Sequence, residues 1–289
     1  LASGLYRVWS DKNNQKEEKE TPTKALELRR LLDTYHDTSL VADYDLVWEN
    51  IGNSDRYIAY GARIALENHG IEIWASRIQS DTEFNKKVAY ALAVARSDNN
   101  LLQQQLFDLL SKVESKQLTP SEQLSILRAE ALLMIRNNDL NTDALENQWL
   151  PIFPSKNQFI NEELAALFSK TQHSIWVKKI MTLWSEIDEE HLKILISDSL
   201  AERSEMYGPA VKAMRNRTPS SYKIALTSAL SHYKFGWNTD LRNKYFNGFN
   251  EFWDREGGNS YRGYLLKILS NALDHLPKGE RPKFEKMSG

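Results

Sequence analysis

From Asn53 to Gly70 the apolar residues fall at helical spacing. Ile58, Gly61, Ala62, Ala65 and Leu66 lie on one face and polar residues fill the other, which predicts an amphipathic helix. Both ends carry signals. Ser54 is the expected N-cap, Asp55 sets negative charge at the positive end of the helix dipole, and Gly70 is expected to provide a left-handed stop. Small residues among large ones let a neighbouring helix approach closely, as in stacked helical repeats. After Asp81 the pattern returns at a shift of 26 residues, with Phe84, Val88, Ala91 and Leu92 standing for Ile58, Ala62, Ala65 and Leu66. Ile71, Trp74 and Ile78 predict a short partner helix between the two. Such a helix–turn–helix unit cannot bury its apolar side alone.

The same reading extends along the chain. Leu5 to Trp9 alternates like a short strand with no partner nearby, and Asp11 to Glu20 has no apolar residue, which predicts a solvated linker. Thr21-Pro22 opens a helix from Thr23 to His36 with Leu28, Leu31 and Leu32 as its buried stripe, and a short helix follows over Leu46–Ile51. Further helices are expected at Leu101–Val113, Ser121–Arg136, Glu162–Lys170, Ile175–Glu186, Glu189–Leu200, Tyr207–Arg215, Ser220–Tyr233, Asp240–Asp254 and Ser260–His275. Thr119-Pro120-Ser121 and Thr218-Pro219-Ser220 are start signals, with proline in the first turn. Trp149 to Pro154 carries two prolines and cannot be helical throughout, so it predicts an apolar elbow. The expected fold is all-α, an α-solenoid or superhelix of stacked helix pairs. Its expected divisions are residues 1–20, 21–150 and 151–289.

Composition narrows the function classes. The 289 residues carry 37 Lys plus Arg against 39 Asp plus Glu, a formal charge of −2, so no bulk attraction to nucleic acid or anionic membrane is expected. The absence of cysteine excludes disulfides, thiolate metal sites and covalent c-type haem attachment within these residues. No apolar run approaches the roughly 20 residues of a membrane helix. The first residue is Leu1 rather than Met, from which a processed protein or an excised fragment is expected.

Candidate chemistry is sparse. No pair among His36, His69, His173, His191, His232 and His275 has the i, i+4 spacing of a helical zinc site. His36, His69, His232 and His275 fall near predicted helix ends, where the dipole favours imidazole. No nucleophile elbow, phosphate loop or dinucleotide fingerprint occurs. Glu17-Glu18 and Asp188-Glu189-Glu190 sit in the linker and at a helix start, where acids belong. Gly257-Gly258-Asn259-Ser260 reads as a helix stop followed by a start. Aromatic residues crowd Trp237 to Tyr264, yet Leu241, Tyr245, Phe249 and Phe252 recur as a core stripe with Trp253 beside it. Trp237, Tyr261 and Arg262 fall outside that stripe and are the expected ligand or partner surface.

Two resemblances add to this reading. Asp55, Ile58, Ala62, Ala65 and Leu66 match the second helix of a HEAT-type repeat, although Ala59 stands where that family has arginine. The segment from Ser54 to Glu67, Gly4 to Val8, and Gly257 to Tyr264 together resemble the helical middle of large extracytoplasmic bacterial proteins. Those proteins join a sugar-dehydrogenase-like β-propeller to a cytochrome c domain. The resemblance implies a periplasmic or cell-surface location and a non-catalytic scaffold segment. Its partners would be domains of the same parent chain or another protein, with carbohydrate as a further partner class. No cofactor, metal, nucleic acid or catalytic residue is implied for this stretch. The alternative is a carbohydrate-active enzyme of α/α-barrel type, using Tyr245 or Tyr261 with Arg262 and an acid such as Asp254 or Glu256, or a carbohydrate-binding module.

Overall fold

The computed structural model of the protein describes residues 22–79, 83–187, 220–255 and 260–289. Among these residues the chain is all-α, without a strand. The expected strand at Leu5–Trp9, the linker to Glu20 and the helices at Glu189–Leu200 and Tyr207–Arg215 lie outside them. So do Asp81, His191, Thr218, Pro219, Glu256 and the Gly257–Asn259 turn. Backbone contacts separate two units, Leu1–Ala89 and Tyr90–Gly289.

In the first unit α1 (Lys24–Thr34) and α2 (Tyr44–Asn50) both pack on α3 (Arg56–Asn68), which leads into α4 (Ile71–Trp74) and a 3-10 turn over Ala75–Gln79. Helix α3 buries Ile58, Gly61, Ala62, Ala65 and Leu66, the face expected from its periodicity. Gly61 has a reason in the packing: an added Cβ would stand 3.1 Å from the Arg29 guanidinium that crosses above it. The ends differ from the expectation. The N-cap is Asp55, whose carboxylate accepts from the Tyr57 N–H at 2.8 Å, because Asn53 accepts the Asp55 N–H and turns the chain there. Gly70 has φ −55° and is not left-handed; it begins α4. The stop is made by His69, whose ring is anchored on both sides. Its Nε2 donates to the Tyr35 carbonyl at 3.0 Å, leaving Nδ1 to accept from the Tyr44 hydroxyl at 2.9 Å. His36 likewise donates through Nε2 to the Gly61 carbonyl at 2.9 Å. These two histidines tie α1, α2 and α3 together, a role beyond the dipole preference.

Two apolar stripes are corrected. In α1 only Leu32 is fully buried; Leu28 is half-buried and Leu31 exposed, because the side facing α3 is shared with the Arg29–Asp33 ion pair. In α5 (Phe84–Val94), whose residues straddle the boundary between units, Ala91 is buried but Phe84, Val88 and Leu92 are half-buried. The buried set there is Ala89, Tyr90, Ala91, Ala93 and Val94, so the echo of α3 is rotated. Trp74 and Ile78 are buried as expected, and the Trp74 indole donates to the Leu66 carbonyl at 3.1 Å.

The second unit contains α6 (Asn100–Ser111), α7 (Pro120–Arg136), α8 (Asp143–Trp149), α9 (Gln158–Thr171) and α10 (Ile175–Glu186). Beyond the gap in description come α11 (Ser221–Leu230), α12 (Thr239–Asn247), α13 (Phe249–Trp253), α14 (Tyr261–Asp274) and α15 (Arg281–Met287). Helices α7, α9, α11 and α14 pack one on the next. Thr119 and Glu122 form the reciprocal capping box that starts α7. Helices α8 and α15, each of 7 residues, are too short to give a clear period and were not expected. At the elbow a 3-10 turn over Leu150–Ile152 follows α8 and the helix stops before Pro154. The long helix expected over Asp240–Asp254 is broken at Gly248. An added Cβ at Gly248 would lie 2.4 Å from Cη2 of Trp184, so this position must stay bare for the indole. Trp184 is held in turn by its N–H bond to Thr227 Oγ1 at 2.8 Å, and Trp176 stacks on Phe168 with centroids 3.9 Å apart.

Candidate functional site

The aromatic segment divides much as its periodicity suggests. Tyr245, Phe249 and Phe252 are buried, while Leu241 and Trp253 are half-buried. Tyr245 donates its hydroxyl to the Thr227 carbonyl at 2.9 Å, and burial pushes its phenol well above the usual tyrosine range. This removes it from solvent and keeps it protonated, which weighs against a catalytic use. Trp237 is half-buried, packs edge-on against Tyr245 at 5.2 Å and donates its indole N–H to the Tyr233 carbonyl at 2.9 Å. Ring and polar edge are both engaged inside the protein. The crevice it lines with Arg242 and His275 holds only about 10 Å³ and is not lined by Tyr261 or Arg262. Tyr261 is half-buried and donates to the Phe252 carbonyl at 2.9 Å; Arg262 is exposed, as is Asp254. Of the three residues expected to form one surface, Trp237 and Tyr261 are thus anchored to carbonyls in different parts of the second unit.

A more organised surface lies on the outer side of α3. Tyr57 and Tyr60 are 60% and 50% exposed. The Arg56 guanidinium lies 4.7 Å from the Tyr57 ring centre and donates to its hydroxyl at 2.7 Å. Arg29 and Arg63 flank the Tyr60 ring at 5.5 and 5.3 Å. Neither guanidinium is loose: Arg29 pairs with Asp33 and donates to the Tyr57 carbonyl, and Arg63 pairs with Glu67 one turn on. Arginine over an exposed tyrosine gains from the ring quadrupole, and both side chains are pre-ordered at little further entropic cost. The sequence carried a signal for part of this, since Tyr60 and Arg63 are i, i+3 neighbours on one helix. Arg29 comes from α1 and could not be placed by spacing.

A third feature is buried. Glu130 of α7 is fully enclosed, and its Oε2 accepts the Trp149 indole N–H at 2.8 Å. Burial pushes this carboxyl up to about 8, against smaller opposing effects from Trp149 and Gln148, so it is largely protonated at neutral pH. Its Oε1 and the Oε1 of Gln148 are both buried without a hydrogen-bond partner. A neutral carboxylic acid supplies the donor these oxygens lack. Gln148 is itself fixed, donating to the Leu110 carbonyl at 2.9 Å, and it lines a surface cavity of about 430 Å³ with Lys112, Lys116 and Asn147.

One imidazole–carboxylate pair stands apart: His173 Nδ1 lies 2.8 Å from Glu146 Oε1, which also accepts the Trp176 indole N–H at 3.0 Å. It joins α8 to the start of α10. Among the described residues no group of three or more His, Asp or Glu side chains is placed to hold a metal ion, and no helix is long and apolar enough to cross a membrane. Comparison with protein-family models, curated proteins and solved structures finds no match. Function is therefore argued from the surfaces themselves.

Proposed function

We propose that this chain is a helical-repeat scaffold segment, HEAT-like in its stacking, that binds a protein partner through the outer face of α3. The observation that carries this reading is the pair Tyr57 and Tyr60, exposed and flanked by Arg56, Arg29 and Arg63. Tyrosine and arginine are the residues most enriched where interfaces concentrate their binding energy. The arginines here are already oriented by Asp33, Glu67 and the Tyr57 hydroxyl. The opposite face of α3 is committed to packing against α1 and α2, so one helix supports the stack and presents the contact. The succession of α7, α9, α11 and α14, each packed on the next, supports the repeat reading. The parent would be an extracytoplasmic protein, with neighbouring domains of the same chain as the first partners to test.

The test is site-specific photo-crosslinking from position 54, beside the exposed pair, in the source cells. A defined protein or parent-chain domain should be captured, and Tyr57→Ala/Tyr60→Ala should reduce its capture at least tenfold while leaving the circular dichroism spectrum unchanged. Equal capture by the double variant, or none by the unmutated chain, would reject the reading. Sequencing on either side of residues 1–289 tests the parent: propeller strands before and Cys-x-x-Cys-His after would support it, and stop codons on both sides would count against it.

A further inference from the structure

Three helix ends in the second unit converge on one basic surface. Gln172, in the left-handed conformation after α9 (φ 60°), donates through Nε2 to the His232 carbonyl at 2.9 Å and accepts the Lys234 N–H at 2.8 Å. The ends of α9 and α11 are thereby tied together, which sets Lys170 beside His232 and Lys234. His275, the C-cap of α14, lines a crevice with Leu230 and Ser231 at the end of α11. Lys170, Lys234 and Lys267 are exposed. Among the described residues no acid forms an ion pair with these lysines or with His232 and His275. The one carboxylate acting on His275 is Asp274, and it is already held by Arg281 at 3.0 Å. Phe235, 62% exposed, stands next to Lys234 on a turn whose Gly236 has φ 89°. An added Cβ at Gly236 would strike the Ser174 carbonyl oxygen at 2.2 Å, so the turn is fixed against the start of α10.

Helix dipoles favour cations at C-termini, but that preference does not explain why so many gather without acidic partners in a chain of net charge −2. We propose that this end of the second unit docks an acidic polypeptide segment, whose carboxylates meet Lys170, Lys234 and Lys267 and whose apolar side chain covers Phe235. The charges are spread over the ends of α9 and α11 and along α14, where Lys267 lies mid-helix, rather than gathered in a pocket, and the adjoining crevice of about 10 Å³ encloses nothing larger than a water. That distribution matches several carboxylates along an extended chain better than one phosphate, which needs convergent donors. The exposed aromatic ring among lysines favours a polypeptide over a purely ionic polymer. This inference stands independently of the α3 surface.

The histidines make the contact sensitive to pH. Burial first, then His275, Lys170 and Lys267, holds His232 below the usual imidazole range; burial and Lys234 do the same for His275, opposed by Asp274. A bound acidic segment favours their charged forms, so binding takes up protons and tightens as pH falls from 7 toward 6.

The experiment is fluorescence anisotropy with a labelled polyglutamate peptide carrying one central phenylalanine, at low salt. Lys170→Glu/Lys234→Glu/Lys267→Glu should weaken binding at least tenfold, Phe235→Ala a few-fold, and a drop of one pH unit should tighten it about threefold, within the ceiling set by proton linkage for two histidines. The control Lys112→Glu/Lys116→Glu/Lys178→Glu makes the same charge change elsewhere and should leave affinity within twofold. Circular dichroism confirms that each variant is folded. Equal losses in both triple variants would overturn the location, as would no measurable binding by the unmutated chain. Displacement of the peptide by inorganic phosphate, or by an oligonucleotide, at equal or lower charge concentration would overturn the assignment to an acidic polypeptide.

Discussion

Glu130→Gln isolates the energetic consequence of the buried acid. The carboxyl is raised from 4.5 to about 8 in the folded protein, so the folded state holds a proton that the unfolded chain releases. Its contribution is fully present below pH 4.5 and is lost as pH rises to about 8. At 1.36 kcal/mol per unit, the loss is about 5 kcal/mol in total and about 3 kcal/mol between pH 5 and pH 8. Full burial leaves solvent little room to screen it. Glutamine has nearly the same shape and is neutral throughout. Its amide oxygen can accept the Trp149 N–H, and its NH₂ can donate to Gln148 Oε1, the acceptor now lacking a partner. Urea unfolding at pH 5, 6, 7 and 8 and constant salt, followed by far-ultraviolet circular dichroism, measures both proteins. The other titrating groups, including His232 and His275, cancel in the difference. The variant should gain about 3 kcal/mol on the unmutated protein between pH 5 and pH 8. Parallel stability curves would show that Glu130 is ionised in the fold, and the account of its two unpartnered oxygens would fail with them.

Three further substitutions test the packing. Gly248→Ala drives a methyl group into Trp184 and should cost about 1–3 kcal/mol, read as a lower midpoint in urea together with a changed near-ultraviolet tryptophan signal; an unchanged midpoint would mean the indole moves freely. Thr119→Ala removes the capping box of α7 and should cost about 1 kcal/mol, with Thr119→Ser recovering most of it in the same urea titration. Tyr57→Ala/Tyr60→Ala should change stability by no more than about 1 kcal/mol, because both rings are exposed. A larger loss in thermal melting would recast the α3 surface as a packing device.

Much of the fold was legible because apolar periodicity reports burial within a single helix. The five residues expected on the inner face of α3 are its buried residues, and the start of α7 follows from the signal Thr119-Pro120-Ser121. Readings failed where another helix decides the outcome. Leu31 looks like core until Arg29, on the other side of α1, reaches the Tyr57 carbonyl of α3 and turns Leu31 outward. Gly70 looks like a stop until the anchored His69 ring ends the helix first. Asp240 to Asp254 looks continuous until the Trp184 indole claims the space at Gly248. Each correction involves a side chain reaching across at least 25 residues of sequence, farther than any local window.

The candidate surfaces repeat this limit in stronger form. Trp237 and Tyr261 lie outside the core stripe, where aromatic residues are expected to be available for binding, yet their polar atoms are spent on the carbonyls of Tyr233 and Phe252. The periodicity of α3 picks out its buried face and leaves Tyr57 and Tyr60 unassigned, with no account of what gathers around them. Arg29 joins Tyr60 from another helix, Glu130 meets a tryptophan 19 residues away, and the lysines and histidines of the basic end come from three helices. In an all-α chain the buried stripe is a local property and can be read directly. A binding surface is a property of helices assembled side by side, so it becomes visible only when the stripes have been packed and the side chains left outside them can be seen together.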